Sequence, residues 1–202
     1  GSIMTELVAP HFGSQMKYKL PMSDNVHTIS KELKYRLCSP ADITMLSRSD
    51  LMHYLKDTQK ASINQEGKLH LDRLFTLIED NLGFHVFEEI ERSKRQVCKD
   101  DSSTFSYHYP GIDLDLGYTH SDFNAYSEDK IESIMKSLDD TLKAAGVKNN
   151  EIDLICCTGG TSQVPEVAKQ LEKRFGKEKI RTRQQFHSVI QGLTKKALKV
   201  NL

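Results

Sequence analysis

The sequence predicts a mixed α/β fold, and three observations carry that reading. Apolar residues recur at helical spacing as far as residue 97, the pattern turns alternating over 104–116, and an apolar run then passes through two glycines into another helix. The 202 residues suffice for one large domain or two small ones. Only 38% are hydrophobic and the mean hydropathy is -0.51, so the core is modest and much of each helix faces water, as in one lobe of something larger. Lysine plus arginine balances aspartate plus glutamate at 28 each, which argues against nucleic acid, an anionic membrane or an acidic substrate as the main partner. No apolar stretch approaches the roughly 18 residues of a membrane span and no signal peptide is evident. Four cysteines without metal-type spacing point to a reducing cytoplasm. Gly1-Ser2 reads as the remnant of a tag-cleavage site, with native sequence from about Ile3 or Met4.

Taken in order, residues 4–24 carry a short apolar pattern (Leu7, Val8, Phe12, Met16) interrupted by Pro10, Gly13 and Pro21, the mark of a helix that unravels into a loop. From Asp24 the spacing of Val26, Ile29, Leu33 and Leu37 predicts a helix ended by Pro40. Ser39-Pro40-Ala41-Asp42 opens the next, whose stripe continues through Leu46, Leu51, Tyr54 and Leu55. Residues 69–97 predict one long helix, bent at Gly83. The alternation over 104–116 predicts a hairpin turning at Pro110-Gly111. Ser127 is the expected N-cap of a helix that Gly146 stops. A buried strand over 152–157, a helix over 165–175, a strand over 179–182 and a closing helix over 186–198 complete an α/β unit. The expected division is a helical part, 1–127, and a smaller α/β part, 128–202.

Three features could carry chemistry. Thr158-Gly159-Gly160, at the carboxyl end of a strand and ahead of a helix that Ser162 can cap and Pro165 can open, suits a phosphate or a ribose; a bare Gly-Gly also serves as a plain tight turn. Glu91, Lys94, Arg95 and Cys98 share one helix face, where a carboxylate and an ammonium can grip a diol and a guanidinium can stack on a base; the same residues also describe a solvated face with cations near a helix end. Phe186-His187-Ser188, followed by Gly192, begins a helix open to close packing, with no nucleophile placed beside His187. Asp113 with Asp115, and Asp139 with Asp140, read as solvated positions and not acid/base pairs.

In this order, Glu91-x-x-Lys94-Arg95, Thr158-Gly159-Gly160-x-Ser162-x-x-Pro165 and Phe186-x-Ser188-Val189-x-x-Gly192-Leu193 resemble the later half of the nucleotide-binding domain of DnaK-type heat-shock chaperones, with the YegD-like branch nearest. The resemblance covers residues 70–200; residues 3–69 are similar only as a divergent helical insertion. It implies part of the second lobe of an actin-like, ribonuclease H-like ATPase domain: a helical outer subdomain with a small hairpin sheet, then a partial inner α/β subdomain. It further implies that Glu91 and Lys94 hold the ribose hydroxyls, Arg95 stacks on adenine, Gly159 and Gly160 lie against ribose and α-phosphate, and Thr161 and Gln163 line the base pocket. Three positions depart from the family pattern: Gln163 replaces a base-sandwiching arginine, Cys98 a serine and Phe186 a nearby aspartate. The lost guanidinium is worth about 1 kcal/mol at a partly exposed site.

The expected ligands are ATP or ADP, with Mg²⁺ only in the full-length protein, because the family's phosphate loops and metal-positioning carboxylates lie in segments absent here. The chain alone is expected to hold nucleotide without hydrolysing it. Expected partners are the missing first lobe and a client or co-chaperone, in a cytoplasmic stress-response setting. Two rival readings stand beside this one: a non-catalytic interaction module with a decayed pocket, and a lobe of a sugar or acyl kinase of the same superfold.

Overall fold

A computed structural model describes residues 1–182 and 188–200, with side chains at all of these except 49, 163, 188, 189, 191, 199 and 200. The chain forms two compact units, Gly1–Tyr126 and Ser127–Leu202. No helix among the described residues is long and apolar enough to cross a membrane.

The first unit opens with a π-helical turn, Met4–Val8, and a 3-10 turn, Ala9–Phe12, which bury Met4, Val8, Ala9 and Phe12. Strand β1 (Lys17–Lys19) then pairs antiparallel with β2 (Val26–Thr28), Tyr18 opposite His27. This corrects the helix expected from Asp24. Val26 and Thr28 are β-branched and favour extended backbone. Helix α1 (Lys31–Arg36) begins only where the Ser30 hydroxyl accepts the Glu32 N–H at 3.2 Å. Helix α2 (Pro40–Met45) starts as expected, with Ser39 as cap and Pro40 in the first turn. Helix α3 (Ser49–Lys60) is separate from it and does not continue its stripe.

The single helix expected over 69–97 is two: α4 (Gln65–Glu79), capped by Asn64, and α5 (Gly83–Val97). The break is chemical. Asn81 adopts φ +55, the Leu82 N–H donates to the Leu77 carbonyl at 3.0 Å and the Asn81 N–H to that of Ile78 at 3.2 Å. These two bonds close a helix C-terminus around a left-handed residue, a conformation asparagine tolerates better than most. Gly83 therefore starts a helix and bends none.

Strands β3 (Ser102–Tyr109) and β4 (Ile112–Thr119) form the expected hairpin, with Tyr109 opposite Ile112. Pro110 presets the turn and Gly111 takes φ +85. Phe105, Tyr107, Ile112, Leu114 and Tyr118 are buried, in the alternation of a sheet with one covered face, and α5 packs on β3. Helix α6 (His120–Ala145) starts seven residues before the expected Ser127. Asp122 Oδ2 accepts both the Thr119 N–H, at 2.8 Å, and its hydroxyl, while Thr119 Oγ1 accepts the Asp122 N–H at 3.1 Å. This reciprocal cap outcompetes Ser127, which is buried within the helix.

In the second unit α6 ends at Gly146 as expected, and its Asp139 pairs with Arg174. Strand β5 (Ile155–Cys157) lies parallel to β6 (Ile180–Thr182), with α7 (Pro165–Phe175) between them in sequence and α8 (Ser188–Val200) last. Strand β5 is shorter than expected and half exposed instead of buried, with Leu154 at its entry 55% exposed. A two-stranded sheet leaves most of each strand's surface uncovered.

Candidate functional site

Those sequence-predicted residues that the structure describes fall on one stretch of each unit, α5 with Cys98 at its end and the turn that follows β5. In the first, α5 turns Val86, Ile90, Ser93 and Val97 inward, and this spacing fixes which face remains outside. Ser93 anchors the register: its hydroxyl donates to the Ile90 carbonyl at 3.1 Å and accepts the Tyr118 hydroxyl of β4 at 3.1 Å, all buried. The outward face carries Glu91, Lys94 and Arg95. Lys94 Nζ lies 3.3 Å from Glu91 Oε1, and Arg95 Nε donates to the Glu91 carbonyl at 3.1 Å. A carboxylate, an ammonium and a guanidinium are thus held side by side by their own helix, with Lys94 the least exposed of the three. Cys98 caps this face; burial pushes its thiol up, with Lys94 pulling it the other way.

Glu91 and Arg95 also line a shallow groove of about 430 Å³ whose other walls include Phe84, Phe87 and Glu88. Sequence reading overlooked these three, although Phe84 and Glu88 precede Glu91 and Arg95 by seven residues and share their face. Phe84 is 65% exposed, and an aromatic left in water on the same face was the available signal.

In the second unit the junction after β5 is built by Gly159, at φ +82 and ψ 168, a region essentially restricted to glycine. A Cβ there would meet nothing within 4 Å, so open space lies above the backbone. Gly160–Gln163 form a 3-10 turn in which Ser162 Oγ donates to the Gly159 carbonyl at 2.8 Å. That corrects the expectation that Ser162 caps α7: the cap position belongs to Val164, whose side chain cannot cap. Thr161 is exposed and its carbonyl accepts the Val164 N–H. Glu166 occupies the first turn of α7 and supplies the negative charge that helix end favours. The Gln163 side chain, and Phe186 and His187 altogether, lie outside the described residues.

Among the described residues no group of three or more histidine, cysteine, aspartate and glutamate side chains could hold a metal ion. The four cysteines are free. His108 takes up both acids of the hairpin, with Nδ1 2.6 Å from Asp113 and Nε2 3.4 Å from Asp115.

Comparison with known proteins bears on the same stretch. The family model for Hsp70 protein matches residues 79–197, which hold α5, the hairpin, α6 and the Gly159-Gly160 junction. A chaperone protein HscA homolog of Shewanella denitrificans is 30% identical over 89 residues, 44% of this chain and 14% of that relative. The match therefore spans a small part of the curated relative.

Proposed function

The chain belongs to the Hsp70 family, and from that premise we propose that it holds the base and ribose of an adenine nucleotide within a chaperone ATPase. Its mixture of helices and small sheets is that of part of an actin-like ATPase domain. In this reading the first unit supplies the outer helical subdomain of the second lobe and the second unit part of the inner one. Glu91 and Lys94 grip the two ribose hydroxyls, the carboxylate accepting and the ammonium donating its hydrogen bonds. Arg95 lays its guanidinium on adenine. Gly159 and Gly160 bring bare backbone against ribose and α-phosphate, Thr161 and Gln163 line the base pocket, and Cys98 and Phe186 complete the proposed set of residues.

The carrying observation is the Glu91–Lys94 pair with Arg95 tied to the same turn, because a diol grip needs opposite polarities at fixed separation. Mg²⁺ and the attacking water belong, in this proposal, to the first lobe of the whole protein, so the chain alone binds without hydrolysing. The three motifs in order, nearest in pattern to the YegD-like branch, support placing the chain there; a cytoplasmic setting in the stress response, with clients or co-chaperones as protein partners, completes the proposal.

Titration calorimetry with ATP, ADP and adenosine tests the reading. All three are expected to bind with similar affinity, Arg95→Ala to weaken binding about fivefold, corresponding to about 1 kcal/mol of lost stacking, and Glu91→Ala about tenfold. Absence of binding by all three ligands, or indifference to both substitutions, sinks it.

A further inference from the structure

A second concavity lies outside the nucleotide site, in the part of the first unit that precedes residue 79. It measures about 830 Å³ and sits between β1 with its following turn and the end of α3. That volume falls within the range of roughly 300–1,000 Å³ typical of small-molecule sites.

Tyr18, Leu20, Pro21, Tyr54, Ala61 and Ile63 form its walls. The backbone here is already satisfied. Strand β1 pairs with β2 on one edge; on the other the Lys19 N–H donates to the Ala61 carbonyl at 3.0 Å and the Ile63 N–H to that of Lys17 at 3.4 Å. No additional strand can join β1, so an occupant must be held by side chains. The Tyr54 hydroxyl accepts the Ser30 N–H at 3.3 Å and the Tyr18 ring stacks on His27 with centroids 5.6 Å apart, which holds both rings in the wall. Leu20 and Ile63 nonetheless stay 48% and 52% exposed, leaving apolar wall in contact with water.

Charge at the cavity is asymmetric. Lys19 and Lys60 line it against one carboxylate, Asp57. Their present partners, Asp24 for Lys19 and Asp57 for Lys60, both at 3.0 Å, are themselves largely exposed, so either ammonium exchanges partner at little cost.

From apolar walls under two exchangeable ammonium groups, we infer that this cavity binds a small amphipathic monocarboxylate, its apolar body between Tyr18, Tyr54 and Ile63 and its carboxylate at Lys19 and Lys60. Asp57 disfavours a second negative charge, which selects against dianions.

Decanoate and decylammonium are the probes, titrated into the ¹⁵N-labelled full chain and followed by amide shifts. Decanoate is expected to saturate, with shifts confined to residues 17–21 and 54–63, and to bind at least tenfold tighter than decylammonium. The double variant Lys19→Glu with Lys60→Glu should invert that preference, and Ile63→Gln should weaken decanoate about tenfold, both with the α5 amides unmoved. Shifts that never saturate or spread beyond these segments overturn the assignment, as does decanoate binding indifferent to the variants. Equal affinity for the two probes overturns it as well, and would make the cavity a charge-indifferent groove for a protein segment.

Discussion

The two units put their apolar residues to opposite uses. In Gly1–Tyr126 every helix from α1 to α5 and both strands of the hairpin send side chains into a shared interior, where Phe12, Leu37, Leu74 and Phe105 are fully buried. In Ser127–Leu202 the buried hydrophobic residues among those described are Ile131, Val164, Val167 and Phe175, while Ile190, Leu193 and Leu198 of α8 and Leu154 beside β5 stand in water. The helix face that carries Glu91, Lys94 and Arg95 therefore rests on a unit with its own core, and the Gly159 junction on a unit with little interior. The α5 face is held by the packing beneath it; the Gly159 junction relies on its own backbone geometry.

The largest expected effect tests the contrast directly. Leu74→Ala should cost about 3 kcal/mol in urea unfolding, from lost burial and the cavity left behind, whereas Leu193→Ala should change stability by less than about 0.5 kcal/mol. Equal effects would break the distinction. Gly159→Ala is next, at about 2 kcal/mol for forcing a side chain into a glycine-only conformation, with the loss confined to amide-exchange protection in α7 and β5. A loss spread into α4 and α5 would mean that the units do not behave separately. Thr119→Ala, which removes the cap of α6, should cost about 1 kcal/mol.

The smallest effect is a pH dependence of the first unit. His11 and His70 meet edge to face with ring centres 5.6 Å apart, and burial, then the Arg73 charge for His11 and the His11 charge for His70, lower both below the usual 6.5, with Glu66 opposing. The folded state thus binds protons less readily than the unfolded chain. Their contribution is fully present above about pH 6.5, the unfolded value, and disappears as pH falls through the lower folded values. The melting temperature of the first unit should decline from pH 7.5 to 5, and His70→Gln should flatten that decline.

Where one residue's chemistry decides an element, the sequence sufficed. Pro110-Gly111 dictates its turn, Ser39-Pro40 its helix start, and α7 spans the residues its proline and apolar spacing predict. Where two local signals competed, the sequence reading chose the wrong one: Asn81 closes α4 inside an unbroken helical stripe, and the Thr119–Asp122 cap starts α6 ahead of the other capping residue, Ser127. Of the candidate site, the three-and-four spacing of Glu91, Lys94 and Arg95 was legible because a helix converts spacing into adjacency. The Phe84–Glu88 wall of the groove obeys the same rule and was passed over because an exposed phenylalanine carries no charge to draw notice. The 830 Å³ cavity joins residues more than thirty positions apart through β1 and α3, a juxtaposition that periodicity does not encode.

The two-residue turn between β3 and β4 has a consequence in time. Closing so short a loop costs the chain little entropy, and hairpins of this kind zip in about 1–10 μs. The parallel partners β5 and β6 must first fold α7 between them before their ladder can form. On loop-closure grounds the hairpin ladder forms more readily than the β5–β6 ladder, and it supplies the strand on which α5, carrying Glu91, Lys94 and Arg95, packs.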